Sequence, residues 1–389
     1  MKKNTQLIHA GRGKKWTGSA VNPPIVRAST IVFETMEELK NASKNKGNAV
    51  PYYGRRGTAT HFAFQEAMCE LEGGAGCALY PCGAAAISGA LLAFLKAGDH
   101  LLMVDTAYEP TRGLCEKVLA GLGIETSYYD PLLGAEIESL IRPNTKVIFL
   151  ESPGSLTMEV QDIPAICQVA KAHNIITMLD NTWASPILCR PFELGVDISI
   201  QAATKYIIGH SDVMLGTASA NEQHWPQLRE QSYLLGYCAS PDDVYQASRG
   251  LRTLGVRLKQ HEKNALEVAE WLAQRPEVET VRHPAFPEHP GHLFFQRDFN
   301  GSNGLFSFVL KQGSAAQVQA FIEGMQHFKM GFSWGGYESL ITAVPNVQAL
   351  RSVTHWPYAG PLLRLHIGLE DPEDLLADLE QAFARMALA

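Results

Sequence analysis

Val196-Asp-Ile-Ser-Ile-Gln-Ala-Ala-Thr-Lys-Tyr206 places a lone lysine just past a run whose apolar residues alternate, the pattern of a half-buried strand. Upstream, the apolar run Ile175-Ile-Thr-Met-Leu179 closes on Asp180, the first residue of Asp180-Asn-Thr-Trp183. If the two strands are neighbours, a carboxylate and a lysine stand together at one edge of a sheet. Such a pair suits a pyridoxal phosphate site, in which the aspartate keeps the pyridinium nitrogen protonated and the lysine forms the Schiff base. An ordinary loop lysine and a strand-end carboxylate account for the same residues read alone. The surrounding chain decides between these readings.

Working outward, strand-like and helix-like segments alternate from about residue 60 to 251. Cys77-Ala-Leu-Tyr80, Leu101-Leu-Met-Val104, 124–129 and Lys146-Val-Ile-Phe-Leu-Glu151 read as strands. Helical patterns cover 63–71, an alanine-rich stretch to Ala97, 112–122, 135–141 and 163–172. This alternation predicts an α/β fold with a mainly parallel sheet covered by helices on both faces. Ligands of such folds sit at the carboxyl ends of the strands, where Gly83, Tyr108, Asp180, Thr204 and Lys205 fall. A helical region over 244–274 leads to a smaller α/β portion. That portion holds Leu305-Phe-Ser-Phe-Val-Leu310, Leu362-Leu-Arg-Leu-His-Ile367 and a closing helix over 373–386. The first 48 residues are poorly periodic, are broken at Pro23-Pro24, and read as an extended arm. The expected division is an arm over 1–57, a cofactor domain over 58–251 and a carboxy-terminal domain over 252–389.

With 389 residues, 46% of them apolar and 19% charged, the chain has the make-up of a soluble protein with a sizeable core. A net charge of −7 without any basic block gives no footprint for nucleic acid. Neither a secretory signal nor a membrane-spanning run is present, which predicts a cytoplasmic protein with no membrane partner. Seven scattered cysteines include no C-x-x-C pair. His283, His289 and His292 lie among prolines and read as a stiff surface loop, so no metal is expected. Neither a complete G-x-G-x-x-G nor a G-x-x-x-x-G-K-[ST] motif occurs, which disfavours dinucleotide and nucleoside triphosphate sites.

Gly83-Ala-Ala-Ala86 opens a helix whose free N–H groups suit a phosphate, though small residues there also serve tight packing. Tyr52-Tyr-Gly-Arg-Arg-Gly-Thr58 is either an anion clamp or a solvated turn. Tyr108, at a strand exit, can stack on a flat ring or simply pack. Arg364 lies inside an apolar strand and calls for an anion, either a structural carboxylate or that of a substrate. Ser333-Trp-Gly-Gly-Tyr337 has the composition of a loop that closes over a ligand.

Taken together, Tyr53-Gly-Arg-Arg-Gly-Thr58, Cys69-Glu-Leu-Glu-Gly-Gly-Ala-Gly-Cys77, Asp180-Asn-Thr-Trp183, Ser199-Ile-Gln-Ala-Ala-Thr-Lys-Tyr206 and Ser333-Trp-Gly-Gly-Tyr-Glu-Ser-Leu340 resemble the Cys/Met-metabolism family of pyridoxal phosphate enzymes. The resemblance runs over nearly the whole chain. It implies a type I, aspartate-aminotransferase-like fold and a homotetramer built from dimers. It casts Lys205 as the Schiff-base lysine, Asp180 as the pyridinium partner and Tyr108 as the stacking aromatic. Gly83, Ala84 and Thr204 would hold the phosphate, with Tyr53 and Arg55 reaching that of a neighbouring subunit. Arg364 would clamp the substrate α-carboxylate beside Ser333 and Trp334.

The activity implied is β-elimination of L-cystathionine to homocysteine, pyruvate and ammonia in methionine synthesis. Trp334 favours this outcome, because γ-acting relatives tend to carry leucine there. Two departures matter. Phe332 replaces a tyrosine of close relatives, and Gly113 replaces an aspartate of some, which would broaden preference towards cysteine and other S-substituted cysteines. A γ-acting enzyme and a non-catalytic regulator on the same fold are the remaining alternatives.

Overall fold

A computed structural model of the chain describes residues 1–389 and arranges them around two sheets. The first holds β1 (Gly76–Tyr80), β2 (His100–Val104), β3 (Glu125–Tyr129), β4 (Thr145–Glu151), β5 (Ile176–Asp180), β6 (Ile198–Ala202) and β7 (Gly216–Ala220). Their order is β1-β7-β6-β5-β4-β2-β3, with only the pairs to β7 antiparallel. The second sheet holds β8 (Val278–Arg282), β9 (Leu305–Leu310), β10 (Lys329–Met330), β11 (Leu340–Val344) and β12 (Leu362–His366), in the order β10-β11-β12-β9-β8. The expected α/β class and both sheets are therefore present. The Pro241–Ala273 helix joins them: Leu254 and Leu258 pack into the larger core, and Ala265 to Leu272 into the smaller. Residue 251 lies within this helix.

β6 departs from expectation. Its polar residues do not face water, because Ser199 and Gln201 are buried. Their partner is Glu72, at the end of the Ala59–Glu72 helix and fully buried. Ser199 Oγ, Gln201 Nε2 and Ser219 Oγ donate to its carboxylate at 2.5, 2.6 and 2.6 Å. Burial pushes this carboxyl above its usual range, and the three donors pull the other way. The bond set ties that helix to β6 and β7 beneath the strand that leads to Lys205. Replacing Glu72 with alanine strands three buried donors. Denaturant melts should show a loss of about 3 kcal/mol or more.

The amino terminus also differs from the expected arm. Lys3–His9 and Met36–Lys44 are helical. Leu7 is buried, and Arg252 Nη1 donates to Leu7 O and Ala10 O at 2.6 and 3.0 Å, which fastens the start of the chain to the long helix. The stretch expected as one helix over 112–122 is α-helical over Glu109–Gly113, π-helical over Leu114–Leu119 and 3-10 over Ala120–Leu122. Nor is the histidine-rich segment a surface loop. His283 and His289 are buried, and each Nδ1 accepts a backbone N–H two residues on, from Ala285 and Gly291.

Candidate active site

The chain leaves β6 through Ala203 and Thr204 to Lys205, one strand away from Asp180 at the end of β5. Lys205 Nζ donates to Ser333 Oγ at 2.6 Å and lies 5.1 Å from the Trp334 ring centroid. Arg364, on β12, donates from Nη2 to Ser333 O at 3.3 Å. That is its one hydrogen bond, and no carboxylate pairs with it. The structural ion pair open to Arg364 on sequence grounds is thus absent, and its guanidinium stands beside Lys205 without an anion.

The loop carrying Ser333 and Trp334 approaches the lysine closely. Gly335 has φ +89°, and a Cβ there would lie 2.8 Å from Tyr206 N and 3.0 Å from Lys205 Cα. Any side chain at 335 would lift the loop off the lysine. Ser333 itself adopts φ +82°, a conformation unfavourable for a residue with a Cβ and characteristic of functional loops. His366 braces the turn from within the second sheet. Its Nε2 lies 3.2 Å from Gly335 N and 3.0 Å from Gly336 O, and burial holds the ring neutral, with its pKa pulled down to about 3. Tyr206 packs against Trp334 at 5.6 Å between centroids and donates to Asn303 Oδ1 at 2.9 Å.

Asp180 Oδ1 accepts from Thr182 N and Thr182 Oγ1 at 3.0 and 2.5 Å, and Thr182 Oγ1 in turn accepts from Ala202 N at 2.9 Å. The carboxylate is thereby locked to the strand that carries the lysine, while its second oxygen has no partner in the chain. Burial raises the Asp180 carboxyl, against the opposing pull of the Thr182 bonds and Lys205. For Lys205, burial and then the Arg364 charge lower the amine from 10.5 to about 8, while Asp180 works in the opposite direction. The neutral amine is the nucleophilic form, and about a tenth of it is present at pH 7 for such a pKa. Stopped-flow uptake of pyridoxal phosphate by the apoprotein should therefore accelerate with pH up to about 8 and level off above it. Continued acceleration to pH 10 would contradict this.

The Gly83–Phe94 helix starts without a side-chain cap, so its first N–H groups are free. A Cβ at Gly83 would meet Ala202 Cβ at 2.5 Å, which keeps the helix start against the end of β6. Ala84 lies exposed in that first turn. Thr204 Oγ1 donates to Leu215 O and accepts from Leu215 N, so its hydroxyl must turn to meet a phosphate. An uncapped helix start, a free Asp180 oxygen and a lysine whose amine is lowered to about 8 match the phosphate, ring nitrogen and aldehyde of pyridoxal phosphate. The residues fit that group.

Tyr108 stands at the exit from β2, 46% exposed, at the start of the Glu109–Gly113 helix. Its backbone N–H donates to Glu151 Oε2 at 2.8 Å. Tyr53 and Arg55 share no hydrogen bond with this group. Arg55 Nη1 donates instead to Tyr233 O at 2.6 Å, and Tyr53 is exposed. Three supporting residues were not singled out from sequence: Thr182, His366 and Glu151. Thr182 was legible as part of Asp180-Asn-Thr-Trp183. The other two sit in apolar strands, where a polar residue at the strand end was the only signal.

A model of the family described as Cys/Met metabolism PLP-dependent enzyme matches residues 4–384. The chain is 54% identical to cystathionine β-lyase MetC of Escherichia coli (strain K12), over 99% of both chains. It is 36% identical to the cystathionine γ-lyase of Homo sapiens, over 97% of this chain and 92% of that one. Among solved structures, cystathionine γ-lyase from Lactobacillus plantarum complexed with L-serine superimposes with a TM-score of 0.90 at 31% identity, over 100% of both chains.

Proposed function

The chain belongs to the Cys/Met-metabolism family of pyridoxal phosphate-dependent enzymes, and on that premise we propose that it cleaves the Cβ–S bond of L-cystathionine, releasing homocysteine, pyruvate and ammonia in methionine synthesis. One observation carries the reading: Lys205 Nζ is held by Ser333 beneath Trp334 and beside a guanidinium, Arg364, that has no anion. A base and a carboxylate clamp stand one loop apart.

When bound, pyridoxal phosphate supplies an electron-poor ring that takes up negative charge from Cα. Gly83 and Ala84 N–H groups with the Thr204 hydroxyl would hold its phosphate, Tyr108 would stack on its ring, and Asp180 would keep the ring nitrogen protonated. Lys205 would be its covalent anchor and, once free, the base. Arg364 binds the substrate α-carboxylate beside Ser333 and Trp334, and so sets which Cα bond faces Nζ. Neutral Nζ takes the Cα proton. Either the resulting ammonium or the Tyr108 hydroxyl returns a proton to the departing sulfur.

The division into 1–57, 58–251 and 252–389 goes with this reading, with the long helix shared between the two later parts. Tyr53 and Arg55 would serve the phosphate of a second copy, which makes a dimer the smallest competent unit and a tetramer of two dimers the working form. No helix is long and apolar enough to cross a membrane, and we place the enzyme in the cytoplasm.

Holoprotein given L-cystathionine should release pyruvate and homocysteine; cysteine with 2-oxobutyrate would sink the assignment in favour of γ-elimination. A second reading, a broader cysteine-S-conjugate lyase, is favoured by Gly113, where an added Cβ would meet nothing within 4 Å. Open space stands where some relatives place a carboxylate. Comparing kcat/KM for cystathionine and cysteine decides it, and a clear preference for cystathionine would reject the broader lyase.

A further inference from the structure

We propose that Glu151 is a positioning residue for the reaction, fixing the Tyr108 ring over the site through the Tyr108 backbone N–H. The proposal rests on the reading of Tyr108 as the aromatic that stacks on the cofactor. Glu151 closes β4 and pairs in register with Asp180 at the end of β5, so the two side chains leave neighbouring parallel strands on the same side. Oε2 of Glu151 accepts the Tyr108 N–H at 2.8 Å, and no ion pair within the chain uses this carboxyl.

The turn that carries Tyr108 is held at both ends. At its start, the Asp105 carboxylate accepts N–H groups from Ser352, Val353 and Thr354 and a bond from Arg112 Nη1. At its far end, Glu151 is the hydrogen-bonding side chain on the Tyr108 amide. Thr106 O accepts from Ser155 N between them. Tyr108 O accepts from Thr111 N at 2.8 Å, so the bond to Glu151 holds the other side of the residue, its amide, and with it the backbone that carries the ring.

The charge state follows from the neighbours. Two carboxylates at adjacent strand ends in a partly desolvated site do not both ionise readily. Burial, then Asp180, raises the Glu151 carboxyl well above the usual range, against the pull of the Tyr108 N–H and Arg351. Asp180 has Thr182 and Lys205 to support its charge. The bond does not depend on that charge, because Oε2 accepts the Tyr108 N–H at 2.8 Å whether or not the carboxyl is ionised, and an acceptor oxygen is all that the N–H requires. Glutamine reproduces that oxygen. Alanine removes it.

The test is cofactor affinity of the apoprotein, titrated with pyridoxal phosphate and followed by tryptophan fluorescence, with thermal melting as a check on folding. Glu151→Ala should weaken affinity about tenfold, which corresponds to about 1.4 kcal/mol, and Glu151→Gln should restore it to within about threefold. In a Tyr108→Ala background the Glu151→Ala penalty should vanish, because the ring it positions is gone. An equal penalty with and without Tyr108, or a glutamine variant as weak as the alanine one, overturns the proposal. If Glu151→Ala does not fold, Glu151→Asp, shorter by one methylene, carries the same comparison. Tyr108→Ala alone separates the two levels: unchanged affinity in that variant refutes the stacking reading itself, whereas a penalty there without coupling to Glu151 refutes only the positioning role.

Discussion

Lys205→Ala abolishes elimination: pyruvate release from L-cystathionine falls by at least about a thousandfold, the range lost when a positioned base is removed. Lys205 is the one amine in the cluster, and its neighbours offer no substitute. Ser333 Oγ is a hydroxyl already engaged by Nζ, and the Arg364 guanidinium remains protonated at any working pH. The fold should survive, because Nζ makes a single hydrogen bond, to an exposed loop residue. The melting temperature of the apoprotein should therefore stay near that of the parent while the visible band of the anchored cofactor is lost. Small exogenous amines should recover part of the activity, since they replace the base but not its position. Unchanged turnover in the variant would overturn the central assignment.

What could be read from sequence follows a physical divide. Strand-end residues announce themselves, because an apolar run that stops at a charged residue marks both the strand and its exit. Asp180, Lys205 and Tyr108 were legible for that reason. Arg364 was legible as a charge inside Leu362-Leu-Arg-Leu-His-Ile367, and the structure then closed the ion-pair alternative. Polar residues that satisfy one another inside the core give no such sign. Ser199 and Gln201 mimic the wet face of a strand, and only the folded arrangement brings Glu72 beneath them from a helix more than a hundred residues away. His366 in the same strand gave no sign of its part, although it braces the turn that holds Trp334.

The amino-terminal helices were missed for a different reason. Lys3–His9 has one buried side chain, Leu7, so no apolar period exists to be detected, and its stability comes from Arg252 and the long helix. Propensity is a weak guide where tertiary contacts supply the order. For Tyr53 and Arg55, a single chain shows where they start: Arg55 on Tyr233 O, and Tyr53 exposed. Their proposed destination is another copy of the chain.

Arg364→Ala should act mainly on binding. A guanidinium that lacks a carboxylate in the free protein is ready to take one from a ligand, and the loss of a charge-assisted contact to an α-carboxylate raises KM by about a hundredfold. Burial disfavours the charge on Arg364, so in the free protein the residue is held at some expense that a bound anion relieves. The same guanidinium is the second largest influence lowering the Lys205 amine, after burial. Its removal should therefore move the pH midpoint of cofactor uptake upward from about 8, leaving less neutral amine at pH 7 and lowering kcat as well, though less than KM rises. Lysine at 364 should restore the midpoint more fully than KM, since it supplies the charge without the bidentate fork. A substrate whose α-carboxylate is an amide separates the two effects. The parent enzyme should discriminate strongly against it, and Arg364→Ala should treat acid and amide nearly alike. If the variant still prefers the acid by the parent's margin, the carboxylate clamp lies elsewhere in the site.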